Sequence, residues 1–154
     1  LLFGKKMMDR KAVLGQIGEK IVSNYYSRAG NLVEHSIDPF DRHKDLLVDG
    51  EKVEVKTQTR YVTKDCFTLK LNQIKKCMNG YHIVECPTTA SNESALYKVD
   101  KGFRYNTGHM NNGDVRYEIP RKQPAVKKLT DIEGKEKKLL KQYSTNYVRT
   151  KRLP

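Results

Sequence analysis

The stretch Asp45-Leu-Leu-Val-Asp-Gly-Glu-Lys-Val-Glu-Val-Lys56 decides how the chain is read. Asp49-Gly50 stands between two short apolar runs, Leu46 to Val48 and Val53 with Val55. This is the pattern of a two-residue type I′ hairpin. Pairing Val48 with Glu51 across the turn sets Leu47 against Lys52, Leu46 against Val53 and Asp45 against Glu54. Cross-strand partners have Cβ atoms about 5 Å apart, so two facing carboxylates repel unless something offsets them. A divalent cation is the natural offset. Side chains alternate along a strand, so Lys56 and Gln58 share the face of Glu54, while Val53 and Val55 turn to the other side. The expected hairpin therefore has one polar face of acid, acid, amine and amide, backed by an apolar face that anchors it.

Upstream, Val13, Leu14, Ile17, Ile21, Val22, Tyr25 and Tyr26 recur at helical spacing, which predicts an amphipathic helix from an N-cap at Asp9 to a stop at Gly30. Gly15 and Gly18 lie inside it. Each costs about 1 kcal/mol relative to alanine, which implies close approach by another backbone or a ligand. Glu19, beside Lys20, reads on spacing alone as an ordinary boundary residue. A strand is expected over residues 31–37, followed by a loop carrying Asp38, Asp41 and His43.

Downstream of the hairpin the second strand should run to Val62, with another strand at Cys66 to Leu69. A short helix over residues 71–78 follows, with Gln73 free to touch a site or remain solvated, and Tyr81 to Cys86 reads as a buried strand. Ala95 to Val99 and Val115 to Ile119 alternate as strands. Residues 102–113, with Arg104, Tyr105 and His109, read as a loop that either reads base edges or is a surface excursion. Thr130-Asp-Ile-Glu133 has the form of a capping box ahead of a lysine-rich helix reaching about Tyr143.

The composition fits a single domain of 154 residues, with 30 Lys and Arg against 18 Asp and Glu and a formal charge of +12. A field of that sign favours a polyanionic partner, and nucleic acid is the first candidate. From Arg121 onward 11 basic residues meet three acidic ones. Arg104, Tyr105, His109, Arg116, Arg121, Lys122, Lys127, Lys128, Lys138 and Lys141 are the expected DNA contacts, with Tyr143, Tyr147 and Arg149 interleaved with the charge. Lysines on phosphates add affinity without sequence information. With no apolar run near 18 residues and no secretory segment, the expectation is a cytoplasmic, DNA-associated protein without membrane contact. Cys66, Cys77 and Cys86 form no CxxC and read as reduced and structural. A zinc site joining them to His82 matches no finger or ribbon spacing.

Asp45 and Glu54-Val55-Lys56 resemble the PD-(D/E)xK nuclease superfamily, which includes many restriction enzymes and the archaeal Holliday-junction resolvases. Lys44 stands where the family name has Pro. Asp41, after Pro39, is a competing choice, but Arg-His-Lys follows it rather than a hydrophobic strand. The tripeptide alone carries little, since Asp9-Arg-Lys11, Glu133-Gly-Lys135 and Glu136-Lys-Lys138 match it as well. Only the copy at Glu54 combines a strand, a DG turn and a facing acid.

The resemblance implies an α/β fold with a restriction-endonuclease-like αβββαβ core over residues 9–99, a mixed central sheet flanked by helices, and a basic C-terminal extension over residues 100–154. It implies Mg²⁺, with Mn²⁺ as a substitute, held by Asp45, Glu54, the Val55 carbonyl and Glu19. Lys56 would serve the attacking water, and Gln58 would position a phosphate. The implied activity is DNA phosphodiester hydrolysis, site-specific on duplex DNA in the homing or restriction manner, or junction resolution. Cutting two strands implies a homodimer or higher symmetric homo-oligomer. The reading of another class is a non-catalytic nucleic-acid binder on the same scaffold.

Overall fold

The computed structural model describes residues 10–36 and 45–152, with side chains through residue 144. Asp9, Asp38, Asp41 and His43 lie outside the described residues, as do the side chains of Tyr147 and Arg149.

The hairpin forms as its turn residues dictate. Asp49 and Gly50 take φ of 51° and 83°, the two positive values that a type I′ turn requires. Strands β2 (Leu46–Val48) and β3 (Glu51–Val53) pair in the expected register, Val48 with Glu51, Leu47 with Lys52 and Leu46 with Val53. The Asp49 carboxylate accepts hydrogen bonds from the Asn31 amide at 2.6 Å and the Leu32 N–H at 2.9 Å, and these bonds lower its pKa. The turn is thereby tied to the segment leaving helix α1 (Arg10–Arg28), whose end is closed by Gly30 at φ 92°. Gly30 N–H donates to the Ser27 carbonyl and Asn31 N–H to the Tyr26 carbonyl, the two bonds of a Schellman motif. Strand β1 (Val33–His35) then pairs antiparallel with β2.

After Val53 the chain changes partners. Glu54 belongs to neither strand element, and β4 (Val55–Thr59) pairs in parallel with β6 (Gly80–Cys86), Val55 against His82 through Thr59 against Cys86. Parallel neighbours need a crossover, supplied by β5 (Cys66–Lys70) and helix α2 (Leu71–Cys77). Strand β7 (Ala95–Asp100) pairs antiparallel with β6, and β10 (Val126–Asp131) with β7, which gives the order β10-β7-β6-β4. A separate sheet is ordered β5-β9-β8, with β8 at Asn106–His109 and β9 at Val115–Pro120.

Two apolar clusters, one on each face of the four-stranded sheet, make a layered α/β architecture. On one face α1 and helix α3 (Gly134–Arg152) bury Ile21, Val22, Leu46, Val84, Leu96 and Leu140. On the other, α2 and the β5-β9-β8 sheet bury Phe67, Leu69, Cys77, Tyr81, Ile83 and Ile119. The three cysteines are buried free thiols, with burial pushing Cys77 up to about 11 and Cys86 up to about 12.

Several elements differ from the sequence reading. The stretch 102–113 contains β8, a strand with no apolar side chain, fixed by pairing with β9. Residues 126–131 form an edge strand, so Thr130 and Asp131 belong to β10 rather than to a capping box, and α3 starts at Gly134 and runs past Tyr143 to Arg152. The second hairpin strand ends at Thr59 rather than Val62. Gln73 is occupied at the start of α2, its side-chain oxygen accepting the Lys70 N–H at 3.0 Å.

Of the two helix glycines, one has a packing reason. A Cβ on Gly18 would lie 1.8 Å from Thr57 Oγ1, whereas one on Gly15 meets nothing within 4 Å. Gly18 lets α1 press its backbone onto β4 between Lys56 and Gln58. Gly15→Ala should therefore raise stability by about 1 kcal/mol through helix propensity, and Gly18→Ala should lower it by about 1–3 kcal/mol through overpacking. Thermal denaturation of the two variants beside the wild type checks this; equal shifts would remove the close contact as the reason for Gly18.

Candidate active site

Carbonyls alternate in direction along a strand, and this alternation sets the geometry at Glu54. The Glu54 carbonyl accepts the His82 N–H at 2.8 Å. In the hairpin register the Glu54 carbonyl already points away from β2, so this bond uses the free edge of the strand, and the hairpin ladder ends one pair short of the expected Asp45 with Glu54. The last pair is Leu46 with Val53. Because Glu54's carbonyl faces β6, that of Val55 points the opposite way, off the open edge of β4.

The side chains of Glu54 and Lys56 come together as the strand period requires. Lys56 Nζ lies 3.6 Å from Glu54 Oε2, with 18% and 19% of the two side chains exposed. Both stand near Cys77 at the end of α2 and influence its thiol electrostatically. Asp45 is more open, at 39% exposed, and its carboxylate sits 3.6 Å from Lys52 Nζ, while its N–H donates to Ser36 Oγ at 2.9 Å. Glu19 is half-buried next to Gly18, on the part of α1 that meets β4. Gln58 shares the face of Lys56, but its amide is spent on the neighbouring sheet. Its Nε2 donates to the Thr68 carbonyl at 2.9 Å and its Oε1 accepts the Thr68 N–H at 3.1 Å, so it joins β4 to β5 as an extra strand residue would.

Oxygen donors of the kind a hard cation takes are thus present in the Glu54 carboxylate, the outward Val55 carbonyl and the exposed Asp45 carboxylate. Among the described residues, no three of the His, Cys, Asp and Glu side chains cluster as a metal-binding group. The donor set fits Mg²⁺ in chemistry, with Lys52 having to release Asp45. An exposed pair of that type holds at about 0–1 kcal/mol, so the exchange is cheap.

The departure of the hairpin from β6 opens a cleft of about 760 Å³, lined by Glu54, Tyr26, Tyr81, His82, Lys98 and Lys101 among others. His82 is 5% exposed, with Nε2 2.6 Å from the Tyr26 hydroxyl. Burial first, then Lys98, pushes its pKa down to about 4. The sequence does not single out Tyr26, Lys98 or Lys101 for a site, and it offers His82 only as a zinc ligand. A histidine inside the run Tyr81 to Cys86, whose only other charged or strongly polar member is Glu85, is the available signal.

No protein-family model, curated protein or solved structure matches this chain.

The basic residues divide into two groups. Arg121 points inward, forming an ion pair with buried Glu85 and another with Asp65 at 3.0 Å, and its guanidinium lies over the Phe67 ring at 4.4 Å. Arg116 donates to buried Glu118 at 3.0 Å and lies over Tyr61, while Lys64 holds the other oxygen of Glu118, whose pKa is lowered by these bonds. These arginines are structural ties. Arg104, His109, Lys122, Lys127, Lys138 and Lys141 are exposed, and so is Lys128, which pairs with Asp131 at 2.6 Å. Tyr105 is 42% exposed and stacks edge-on against Tyr117.

Two predictions follow from burial. Arg121→Ala leaves Glu85 buried without its partner and should cost about 3–5 kcal/mol, while Lys122→Ala should stay within about 0.5 kcal/mol; chemical denaturation of both variants decides between a tie and a free surface cation. His82 has a folded pKa below its ordinary 6.5, so between pH 6.5 and about 4 the unfolded chain binds the extra proton and stability falls as pH falls. The contribution is at most about 1.4 kcal/mol per pH unit. Denaturation of wild type and His82→Phe across that window should show a shallower slope in the variant, and identical slopes would place the histidine outside the linkage.

Proposed function

We propose that the chain is a divalent-metal-dependent endonuclease that hydrolyses DNA phosphodiester bonds, with Glu54 and Lys56 at the reacting centre. The observation that carries this reading is the placement of Glu54-Val55-Lys56. An acid and an amine four-fifths buried and 3.6 Å apart stand where a hairpin strand turns into the partner of a parallel strand. The order α1, three antiparallel hairpin and strand segments, α2, then parallel β6 agrees with the restriction-endonuclease-like core, with β5 as an added strand in the crossover.

Asp45, Glu54 and the Val55 carbonyl would hold Mg²⁺ or Mn²⁺, and Glu19, on the helix that covers the opposite face of β4, would complete the site only by reaching around the open edge of that strand. When bound, such an ion supplies a water acidified toward neutral pH and positive charge against the phosphate oxygens. The chain's own residues do the rest. The Lys56 ammonium, fixed beside Glu54, orients the attacking water and offsets charge that grows on the phosphate. Gln58 contributes by holding β4 to β5, which keeps the strand carrying Lys56 in place. The exposed lysines of β10 and α3, with Arg104 and His109, meet the DNA backbone, and a symmetric dimer supplies a second centre for the other strand. Within this class, the size of the region after β7 favours site-specific duplex cleavage over junction resolution.

A non-catalytic nucleic-acid binder is the second reading, favoured by the pairing of Asp45 with Lys52 and by the absence of a three-ligand group among the described residues. Incubation of supercoiled plasmid, linear duplex and a synthetic four-way junction in Mg²⁺ separates the readings. Discrete duplex fragments are expected, with Glu54→Ala and Lys56→Ala each at least about 10²-fold slower. Cuts confined to the junction make the protein a resolvase. DNA binding with no cleavage of any substrate selects the non-catalytic reading.

A further inference from the structure

We propose that Tyr105 is the stacking platform for one unpaired base of a DNA strand, with Arg104 and Lys122 on the phosphates beside it. The class of ligand rests on the nucleic-acid part of the function proposed above; the platform itself rests on how residues 103–107 are held.

A single exposed aromatic side chain is ordinary on a protein surface. What sets Tyr105 apart is its mounting. Phe103 is buried, its ring centroid 5.7 Å from that of Tyr81. Arg104 is clamped by the buried side chain of Gln123, whose Oε1 accepts the Arg104 N–H at 2.7 Å. The Gln123 Nε2 donates to the Arg104 carbonyl at 3.1 Å and to the Pro120 carbonyl at 2.7 Å. On this fixed backbone the Tyr105 ring is backed by Tyr117 at 5.4 Å and Phe103 at 6.1 Å. The two contacts are inclined by 75° and 55°, so neither ring lies flat on Tyr105, and 42% of the residue stays open. A ring held in this way has little freedom left to lose when a flat partner settles on it.

The surroundings indicate what that partner is. Arg104 precedes the ring, and Lys122 precedes the glutamine that holds Arg104. Both are exposed cations without an acidic partner among the described residues. The acids of strand β9 and its turn are already engaged, Glu118 by Lys64 and Arg116 and Asp114 by Asn112. The backbone adds hydrogen-bonding groups. Met110 N–H donates to the Asp114 carbonyl at 2.8 Å, so along β8 the groups of Gly108 and Asn106 turn toward β9 and those of Thr107 turn to the open edge. That N–H and carbonyl lie about 7 Å along the strand from Tyr105. An open ring, cations beside it and a strand edge carrying a donor and an acceptor match the face, the phosphates and the edge of a nucleotide in a strand. A base within a duplex has both faces covered by its neighbours, whereas an unpaired base has a face to offer. An acidic peptide or an abasic strand would use the cations alone.

The chain has no tryptophan, so the emission of a Tyr105→Trp variant of the full chain comes from the platform alone. It is titrated without divalent metal, so that no cleavage interferes. The probes are oligothymidylate, an abasic strand of equal length, and a fully paired duplex. Saturable quenching is expected with oligothymidylate and with neither of the others. Tyr105→Leu keeps an apolar side chain against Phe103 and Tyr117 but has no ring. In fluorescence anisotropy with labelled strands it should bind oligothymidylate roughly tenfold more weakly and the abasic strand as the wild type does. The Arg104→Ala, Lys122→Ala double variant should weaken both strands by the same factor. No quenching by oligothymidylate, equal quenching by the abasic strand or the duplex, or unchanged oligothymidylate affinity in Tyr105→Leu each overturns the proposal. Cleavage of plasmid, duplex and junction DNA by the wild type in Mg²⁺ is scored beside it. Cleavage without quenching overturns the platform alone, whereas quenching without cleavage of any substrate overturns the nuclease reading and leaves the platform in place on a non-catalytic binder.

Discussion

The hydrogen bond from the His82 N–H to the Glu54 carbonyl is the point on which the rest of the structure turns. Residues 51–59 are covalently one extended segment, but they serve two sheets. Up to Val53 the strand answers to β2, and from Val55 it answers to β6. The two partners lie on opposite edges of this segment, β2 beside residues 51–53 and β6 beside residues 55–59, with the hairpin anchored to the end of α1 through Asp49 and the parallel partner arriving from a crossover. The ladder opens at the one residue between them, and three consequences follow at the same place. Glu54 leaves the hairpin ladder, Val55 turns its carbonyl off the sheet edge, and a cleft appears between hairpin and β6.

Holding β4 in this position requires contact from both sides. On one face α1 approaches so closely at Gly18 that Thr57 has no room for a neighbour with a Cβ. On the other, Gln58 bonds both backbone groups of Thr68 and ties β4 to β5. Lys56 immediately precedes these two fixings on the same strand. A lysine has about 2 kcal/mol of rotamer entropy to lose, and a rigid strand beneath it reduces the further cost of aiming its ammonium.

The parts legible in the sequence are those governed by local rules. Asp49-Gly50 demands positive φ twice, and that alone fixed the hairpin and its register. Glu54, Lys56 and Gln58 share a face because strand periodicity is two. Gly30 ended α1 for the same local reason. The illegible parts depend on partners remote in the chain. Strand β8, Asn106–His109, has nothing apolar to mark it, and β10 is an edge strand whose lysines and Thr130 alternate only weakly. Arg116 and Arg121 carry the charge of a DNA-binding surface, but charge says nothing about direction. Glu118, two residues after Arg116, was a local hint of pairing, while Glu85 lies 36 residues before Arg121 and gave none. Gln58 was placed on the correct face, but the backbone of Thr68 that occupies it could be seen only once β5 was in position.

The energetics of the fork bear on what it is for. A carboxylate and an ammonium four-fifths removed from water lose hydration that their attraction at 3.6 Å returns incompletely, and apolar residues of similar size in such a position are often neutral or more stable by about 1–4 kcal/mol. Arg121 with Glu85 is a different case, since stacking on Phe67 and a second acid, Asp65, complete its surroundings and make it a joint between sheets. Glu54 and Lys56 join nothing that Gln58 and the packing at Gly18 do not already join. Under the proposed function this cost has a use, since the reading asks for an acid beside an amine at the mouth of a cleft, whereas a purely architectural role leaves a pair that folding alone would favour replacing.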